Sequence, residues 1–243
     1  MKCRLTLLGG FALESGNGEE LTLPTRKDKL LLAYLALSDG RPQTRQHLAG
    51  LLWDHRGETQ ARNNLKQSLA GMRRVLRQTG VDPLRAGQDP VAFDPEGIEV
   101  DAVKFARLAT AAQAPEQAAA IYRGELLDGF DGVSAEFEDW LCSERKHLST
   151  LAVGVLEQLA LSPAPNGASD EAMRLGRHLL VRYRLCEPVY RALMRLHVRK
   201  AERSEALKLY AAFREALQQD LGAAPDAKTE ELYRDILTNR YSS

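Results

Sequence analysis

Residues 58–76, ETQARNNLKQSLAGMRRVL, have the spacing of an amphipathic helix, and no acidic residue follows Glu58. At about 100° of rotation per residue, one narrow arc of this helix collects five apolar side chains. They are Ala61, Leu65, Leu69, Met72 and Leu76. The spacing therefore predicts a buried apolar stripe, opposite a basic and amide-bearing face with the small Ala70 at its centre.

The dimensions of DNA divide that face into two parts. The helix is roughly 28 Å long at ~1.5 Å per residue, whereas the major groove is only ~12 Å wide. The first two turns are therefore the ones that can reach base edges. The candidates for base contact are Arg62, Asn63, Lys66 and Gln67. Farther along the helix, phosphate contact or simple solvent exposure is expected of Arg73, Arg74 and Arg77.

A solvated helix with an accidental basic bias would give the same pattern, because Arg and Lys are good helix formers and favour the last turn of any helix. The elements around 58–76 favour the DNA-binding interpretation. Apolar stretches at 3–13 and 21–23 flank the turn-rich ESGNGEE and predict a small antiparallel hairpin. Helical spacing predicts a first helix in RKDKLLLAYLALSDG and a second in RPQTRQHLAGLLW, capped by Thr44.

After the third helix, LRA and VAF lie on either side of GQDP and predict a second hairpin. A small sheet, three helices and a final hairpin in this order are typical of a winged helix-turn-helix. We therefore predict a winged helix-turn-helix DNA-binding domain over residues 1–100. In its wing, Arg85 and Gln88 could contact a minor groove or its backbone, although Asp89 at the tip is unfavourable to that contact.

Phosphate contacts can also be expected where helices begin, because backbone N–H groups point outward there. Arg45 and Gln46 open the second helix, where a plain surface role is an equally good interpretation. The first helix opens with Arg26, Lys27 and Lys29, for which the surface role is the better one.

Charge is distributed unevenly along the chain, although the formal net charge is zero. From Pro24 to Arg77 there are eleven Lys and Arg against four Asp and Glu, whereas residues 101–243 carry nineteen against twenty-one. One module is therefore suited to a polyanion and the other is not.

Helical patterns dominate from Asp101 onward, and the last four helices resemble antiparallel pairs near the ~34-residue tetratricopeptide period. We predict a mainly α protein, in which an all-α, tetratricopeptide-like domain at 101–243 follows the winged helix-turn-helix without a flexible linker.

Chemistry other than binding finds little support in the sequence. The cysteines Cys3, Cys142 and Cys186 are odd in number and far apart, and neither cysteines nor histidines have metal-ligand spacing. No nucleophile–base pattern or phosphate loop occurs, so we expect neither an enzyme nor a cofactor. No apolar run approaches the roughly 18 residues of a membrane span, and the N-terminus is too quickly polar for a signal peptide. A cytoplasmic protein is expected.

The sequence also resembles a known family. RLTLLGGFAL, LTLPTRKDKLLLAYLALSDGRPQTRQHLAGLLW and QARNNLKQSLAGMRRVLR are similar to the DNA-binding domain of bacterial transcriptional activators of the Streptomyces antibiotic regulatory protein type. IEVDAVKF, AAIYRGELLDGF, FEDWLCSERKHL and the long segment from CEPVYRALMRLHVRK to ELYRDIL resemble their bacterial transcriptional activation domain. Nearly the whole chain is covered.

This resemblance implies a response-regulator type of winged helix, followed by a tetratricopeptide-like domain. It implies binding to direct repeats in promoter DNA, with base recognition by the same four residues of the third helix, and allows a homodimer. It further implies recruitment of RNA polymerase, partly through the loop between the second and third helices. The corresponding residues are Asp54, His55, Arg56, Gly57, Glu58 and Thr59.

Two features depart from the family pattern. The wing has GQDPVAF where the family usually carries a Gly-Tyr near its second strand, and relatives often continue into sensory or enzymatic parts. A short regulator and a fragment of a longer one are both open. The alternative function is a protein-interaction scaffold in which the helical domain binds a partner and the winged helix binds little or no DNA.

Overall fold

The protein was analysed as a computed structural model, which describes residues 3–78, 80, 82–86, 90–94, 96–162 and 166–240. The chain divides into two compact units that alternate along the sequence. Unit 1 comprises Met1–Phe105 and Gly124–Leu148, and unit 2 comprises Ala106–Arg123 and Ser149–Ser243.

The described residues of the N-terminal region form five strands and the first four helices. These are β1 (Cys3–Thr6), β2 (Ala12–Glu14), α1 (Arg26–Leu37), α2 (Arg45–Trp53), α3 (Glu58–Arg77), β3 (Leu84–Ala86), β4 (Val91–Phe93), β5 (Ile98–Val100) and α4 (Asp101–Ala111). Six helices follow: α5 (Pro115–Ile121), α6 (Ala135–Leu161), α7 (Asn166–Arg182), α8 (Glu187–Arg199), α9 (Arg203–Leu221) and α10 (Ala227–Leu237). The predicted mainly α fold class is confirmed.

The N-terminal hairpin is shorter than the sequence suggested. β1 and β2 pair in antiparallel fashion, with Leu5 opposite Leu13, so the second strand lies at the end of the first apolar stretch. The prediction that residues 21–23 form the second strand is wrong, because they form no strand. Next to β2, the chain is held by a bridge between Glu14 and Glu20 and by a hydrogen bond from Leu21 N–H to the carbonyl oxygen of Leu13 at 2.8 Å. β5 completes the sheet in the order β2-β1-β5, parallel to β1.

Asp101 fixes the end of this sheet. Its Oδ1 accepts a hydrogen bond from the backbone N–H of Leu7 at 2.8 Å, and its Oδ2 accepts one from Leu8 at 3.1 Å. Asp101 is also the first residue of α4, where a carboxylate is favoured by the helix dipole. The Asp101 side chain therefore joins the segment that follows β1 to the start of α4.

Three helices form the centre of unit 1. Thr25 and Asp28 make a capping box at the start of α1, and Thr44 caps α2, as predicted, by accepting a hydrogen bond from His47 N–H at 3.2 Å. The buried sides of α1 and α2 are rich in leucine. The predicted wing hairpin is confirmed as β3 and β4, with Leu84 opposite Phe93. Gln88 and Asp89 lie outside the described residues.

Residues 124–148 complete unit 1, which the predicted boundary near residue 100 does not include. Leu126 forms bridges with Leu8 and Gly10, and Ser134 Oγ donates to the carbonyl oxygen of Leu51 at 2.6 Å. The two units alternate along the sequence because residues 124–148, far along the chain, bridge to the segment that follows β1.

Arg145 holds this returning segment in place. Its side chain is only 10% exposed, and its guanidinium donates to the carbonyl oxygens of Leu126 and Leu127 and to the carboxylate of Asp131. Such a planar, five-donor group can satisfy several acceptors that water does not reach.

Unit 2 consists of helices that pack in sequence order from α7 to α10, and α5 packs on α7. Arginine side chains bind carbonyl oxygens near helix ends. Arg174 donates to the carbonyl oxygen of Ala119 in the last turn of α5 and to that of Tyr122, which follows the helix. Arg199 donates to the carbonyl oxygen of Leu159 near the end of α6. No helix in the described ranges is long and apolar enough to cross a membrane.

Helices α7 and α8 meet at Gly176. A Cβ at this position would lie 2.5 Å from Leu193 Cδ2 and 2.9 Å from its Cγ, and Leu193 is buried. The Gly176→Ala change should therefore destabilise the protein by about 1–2 kcal/mol, because overpacking exceeds the gain in helix propensity. Thermal and urea unfolding measure the difference.

Gly154→Ala is the matched control. Gly154 lies inside α6, is exposed, and has no atom within 4 Å of the added Cβ, so alanine should stabilise the protein by up to about 1 kcal/mol. Equal stabilities of the two variants would contradict the close packing of α7 on α8.

Candidate nucleic-acid interface

The apolar stripe of α3 is buried, as predicted from its spacing. All five predicted members are at most 5% exposed. Ser68 and Val75 extend the buried stripe on one edge, which the sequence interpretation missed. The stripe fixes the rotation of α3, because turning the helix would expose these side chains to water.

The first two turns of the opposite side present all four predicted base-contact residues to solvent. Asn63, Lys66 and Gln67 are exposed and have no hydrogen-bond or ion-pair partner in the described part of the chain. Arg62 donates to Glu58 Oε1 at 2.6 Å, but both side chains are more than half exposed. Such a surface pair contributes little and can exchange for another anion.

The three later arginines have different environments. Arg74 is exposed and, among the described residues, unpartnered. Arg77 is exposed and pairs with Asp82 at 3.3 Å. Arg73 is half-buried, and its guanidinium donates to the carbonyl oxygen of Leu84 at 2.8 Å. Arg73 therefore joins α3 to the wing strand β3, and of the three it is the least available to phosphate.

The predicted phosphate contacts outside α3 are also placed on the surface of unit 1. Arg45, partly exposed, is the first residue of α2, and Gln46 beside it is exposed. Arg85 on the wing is 74% exposed and forms an ion pair with Asp94. A backbone hydrogen bond from Glu96, followed by the Arg85 contact, holds the pKa of Asp94 below its ordinary value.

The expected polymerase-facing residues are all exposed but do not form one loop. Asp54 to Gly57 connect α2 to α3, whereas Glu58 and Thr59 already belong to the first turn of α3. The prediction that these two residues lie in the loop is wrong. The helix begins at Glu58, where its spacing begins, because Gly57 takes the N-cap position and accepts the first helical hydrogen bond, from Ala61 at 3.0 Å.

The basic residues that open α1 bind carbonyl oxygens and aromatic rings. Arg26 donates to the carbonyl oxygen of Asp131 at 2.6 Å, and Lys27 donates to that of Leu52. The Lys27 ammonium also lies over the Trp53 ring, 5.3 Å from its centroid. Burial is the largest influence on Lys27 and lowers its pKa, an effect that Asp54 opposes.

An open groove of about 520 Å³ lies between the start of α1 and the middle of α3. Its lining includes Gln67 and Arg74, which sequence analysis had assigned to DNA contact. It also includes Asn64, Gly71 and Trp53, which are not among the predicted contact residues. The only sequence signal for it is a glycine inside an otherwise strong helical pattern.

Metal chemistry gains no support from side-chain positions. Within the described ranges, no group of three or more His, Cys, Asp or Glu side chains is arranged to hold a metal ion. The arrangement on α3 is suited to binding through charge and hydrogen bonds.

Comparison with known proteins identifies the family. The model of the bacterial transcriptional activator domain matches residues 99–237, more than half of the chain. The chain belongs to this family. Its members are transcriptional regulators, and the predicted resemblance to activators of the Streptomyces antibiotic regulatory protein type is confirmed.

Two relatives extend the comparison beyond the matched domain. Regulatory protein AfsR of Streptomyces coelicolor is 26% identical over 237 residues, which cover 91% of this chain and 23% of AfsR. The chain thus spans about a quarter of that relative's length. Mycobacterium tuberculosis EmbR, solved in complex with a low affinity phosphopeptide, matches with a TM-score of 0.72 at 20% identity. That match covers 100% of this chain and 66% of EmbR and shows a shared fold.

The neighbours Arg73 and Arg74 allow a matched test of the interface geometry. Arg73→Met should lower the free energy of unfolding by about 1–2 kcal/mol, because it leaves a carbonyl oxygen at the wing without its donor. Arg74→Met should leave stability within about 0.5 kcal/mol, since its side chain is exposed and unpartnered among the described residues. Urea unfolding followed by circular dichroism measures both, and the reverse order would overturn the assignment.

Proposed function

We propose that this protein is a sequence-specific DNA-binding transcription activator that acts on double-stranded DNA by binding rather than by catalysis. The observation that carries the proposal is the two-sided character of α3. Its apolar stripe is buried, while Arg62, Asn63, Lys66 and Gln67 are exposed together on the first two turns.

The chemistry of these four side chains matches that of base edges in the major groove. An arginine or lysine can bind guanine O6 and N7, and Asn or Gln can bind adenine N6 and N7. Each good bidentate contact contributes roughly 1–3 kcal/mol of discrimination against the wrong base. An α-helix fits the major groove in width, and the exposed Ala70 lets the helix backbone approach its floor.

Phosphate contacts would then position the helix without reading sequence. We assign this role to Arg45, Gln46, Arg74, Arg77 and Arg85. Arg77 and Arg85 would exchange their acidic partners, Asp82 and Asp94, for phosphate. Arg73 is left out of this set because its guanidinium is bonded to Leu84.

Activation requires a second partner, for which the connection between α2 and α3 is the proposed contact with RNA polymerase. Asp54, His55, Arg56 and Gly57 are exposed and carry both signs of charge. The connection directly precedes the helix proposed to bind DNA, so a polymerase bound next to the operator could reach it. Binding to promoter direct repeats, with two copies of the chain side by side, is proposed because the family resemblance of the sequence implies it.

A groove in unit 2 favours a second candidate, the interaction scaffold. It has a volume of about 520 Å³ between α9 and α10. Tyr210 and Tyr233 stack at its side with ring centroids 3.9 Å apart, and Arg214 lines it. Burial, followed by the hydrogen bond from the hydroxyl to Glu230, raises the pKa of Tyr210 to about 12. The two candidates differ in whether the protein binds DNA at low salt.

Base reading is tested by selecting bound fragments from a random DNA pool and then measuring affinities. Arg62→Ala should bring the affinities for cognate and random DNA closer together by roughly tenfold, since one bidentate contact to a base is lost. Arg74→Ala should weaken both in the same proportion, because a phosphate contact carries no sequence information. Arg107→Ala, an exposed arginine of unit 2, is the control and should change neither.

If the unaltered protein fails to retard any DNA at low salt, the scaffold is the better explanation. If Arg62→Ala and Arg74→Ala both bind a cognate site like the unaltered protein, the face is wrongly assigned.

The polymerase contact is tested by separating DNA binding from transcription. Asp54→Ala combined with His55→Ala should reduce transcription in vitro by severalfold while leaving the operator affinity unchanged, because both residues precede α3. Gel retardation and run-off transcription with the same promoter provide the two readouts. A parallel loss of DNA affinity would show that these residues belong to the DNA contact instead.

A further inference from the structure

The groove beside α3 has two walls from different parts of unit 1. The start of α1 forms one wall, and α3 forms the other with Asn64, Gln67, Ser68, Gly71 and Arg74. Trp53, at the end of α2, closes one part of it. Because Gln67 and Arg74 also belong to the exposed side of α3, the groove continues directly from the proposed DNA-binding face.

Positive charge predominates in this groove. Arg26, Lys27 and Arg74 line it, against the single carboxylate of Asp28. Arg26 and Lys27 are bonded to carbonyl oxygens, which carry no full charge, so these contacts do not neutralise the two cations. An anion entering the groove would therefore meet a net positive field.

The backbone N–H groups at the start of α1 are not the source of this attraction. The Thr25 hydroxyl accepts a hydrogen bond from Asp28 N–H at 3.1 Å, and Asp28 Oδ2 accepts one from Thr25 N–H at 2.9 Å. Asp28 is 2% exposed, so its carboxylate lies inside the capping box and not on the surface of the groove. The side chains of the groove, rather than free helix N–H groups, provide the binding chemistry.

Gly71 keeps the groove open. A Cβ at this position would lie 3.7 Å from Pro24 Cγ, which is ordinary van der Waals contact, so an alanine would fit. Packing therefore does not require glycine here, although glycine inside a helix costs about 0.8–1 kcal/mol relative to alanine. A side chain longer than that of alanine at residue 71 would project into the groove, so this position can change the space in the groove without removing a contact residue.

The dimensions of DNA indicate which ligand. A helix with its side chains is about 10–12 Å across, and the major groove is about 12 Å wide. With α3 in that groove, the sugar–phosphate backbones lie along its two sides. The backbone on the side of Gln67 and Arg74 would then pass the mouth of the groove, because both side chains line it.

We propose that a phosphodiester of the DNA backbone binds in this groove, contacted by Arg74 beside the base-reading Gln67 and attracted by the charges of Arg26 and Lys27. This inference rests on the proposed function. It adds a phosphate site made by α1 and the side of α3, next to the base-reading residues. A phosphodiester is favoured over an acidic protein segment because Gln67 belongs to both the base-contact set and the groove lining.

Substitutions at Gly71 test the site, since they change the groove without removing any contact residue. Gly71→Ala should keep DNA affinity and gain up to about 1 kcal/mol in stability. Gly71→Gln fills the groove without charge, and Gly71→Glu fills it equally with a carboxylate. Gly71→Glu should weaken binding to cognate and random DNA alike, by tenfold or more relative to Gly71→Gln at low salt.

The salt dependence gives a second readout of the same site. The slope of log affinity against log salt is about −0.9 per neutralised phosphate. It should become less steep by about one such step in Gly71→Glu, and Arg74→Gln should show the same change. Gly154→Glu, the same substitution at an exposed helix position of unit 2, should leave affinity and slope unaltered. Thermal unfolding of every variant confirms that each one is folded.

The outcomes separate the inference from the function on which it rests. If the unaltered protein binds DNA and Gly71→Glu binds like Gly71→Gln with an unchanged slope, the phosphate site is refuted and the proposed function stands. If Gly71→Glu keeps DNA affinity but loses transcription in vitro, the groove binds an acidic protein segment and the inference is again refuted. If the unaltered protein binds no DNA at low salt, the proposed function itself fails.

Discussion

Burial of one side of α3 is the constraint on which the functional surface depends. Seven side chains, from Ala61 to Leu76, turn inward against the other helices of unit 1. At roughly 25 cal/mol per Å² of apolar surface, exposing such a stripe would cost several kcal/mol. Rotation of the helix is thereby fixed, and every residue about half a turn away must face solvent. The exposed cations and amides are held in position by apolar packing on the other side of the same helix, so their geometry does not depend on polar contacts of their own.

Sequence periodicity predicts what is local and misses what is distant. The α3 stripe and the β3–β4 hairpin depend on residues that are close together in the sequence. The spacing of apolar and turn residues is therefore sufficient to predict both. By contrast, β5 pairs with β1 across more than ninety intervening residues, and residues 124–148 return to unit 1 through a bridge at Leu126. Such pairings are decided by competition among edges of the whole fold, for which short strands such as IEV carry no distinguishing pattern. The same limit explains why residues 21–23 form no strand, although their apolar sequence is typical of one.

For the candidate site, the sequence indicated the face but not the state of each arginine. Arg73 and Arg74 are adjacent and chemically identical, yet one is bonded to Leu84 and the other faces solvent. Unit 2 makes the same point, since Arg174 and Arg199 are used to bind carbonyl oxygens near helix ends. A guanidinium can satisfy several backbone acceptors at once, so arginine serves the interior as well as the surface. Counting basic residues therefore overestimates the number of side chains that can contact a polyanion directly, although those bonded to carbonyl oxygens keep their charge.

Gly71 links these two considerations. Of the residues in α3, Gly71 has the lowest helix propensity. Its neighbour across the gap, Pro24, leaves room for a methyl group, so steric need does not account for it. Because alanine also fits, residue 71 matters through the space that a larger side chain would take from the groove. The groove has cations on both walls, and the hydrogen-bond acceptors of Arg26 and Lys27 are carbonyl oxygens rather than carboxylates. Such a surface is favourable to an anion, so the proposed contact with DNA extends beyond the four exposed residues at the start of α3.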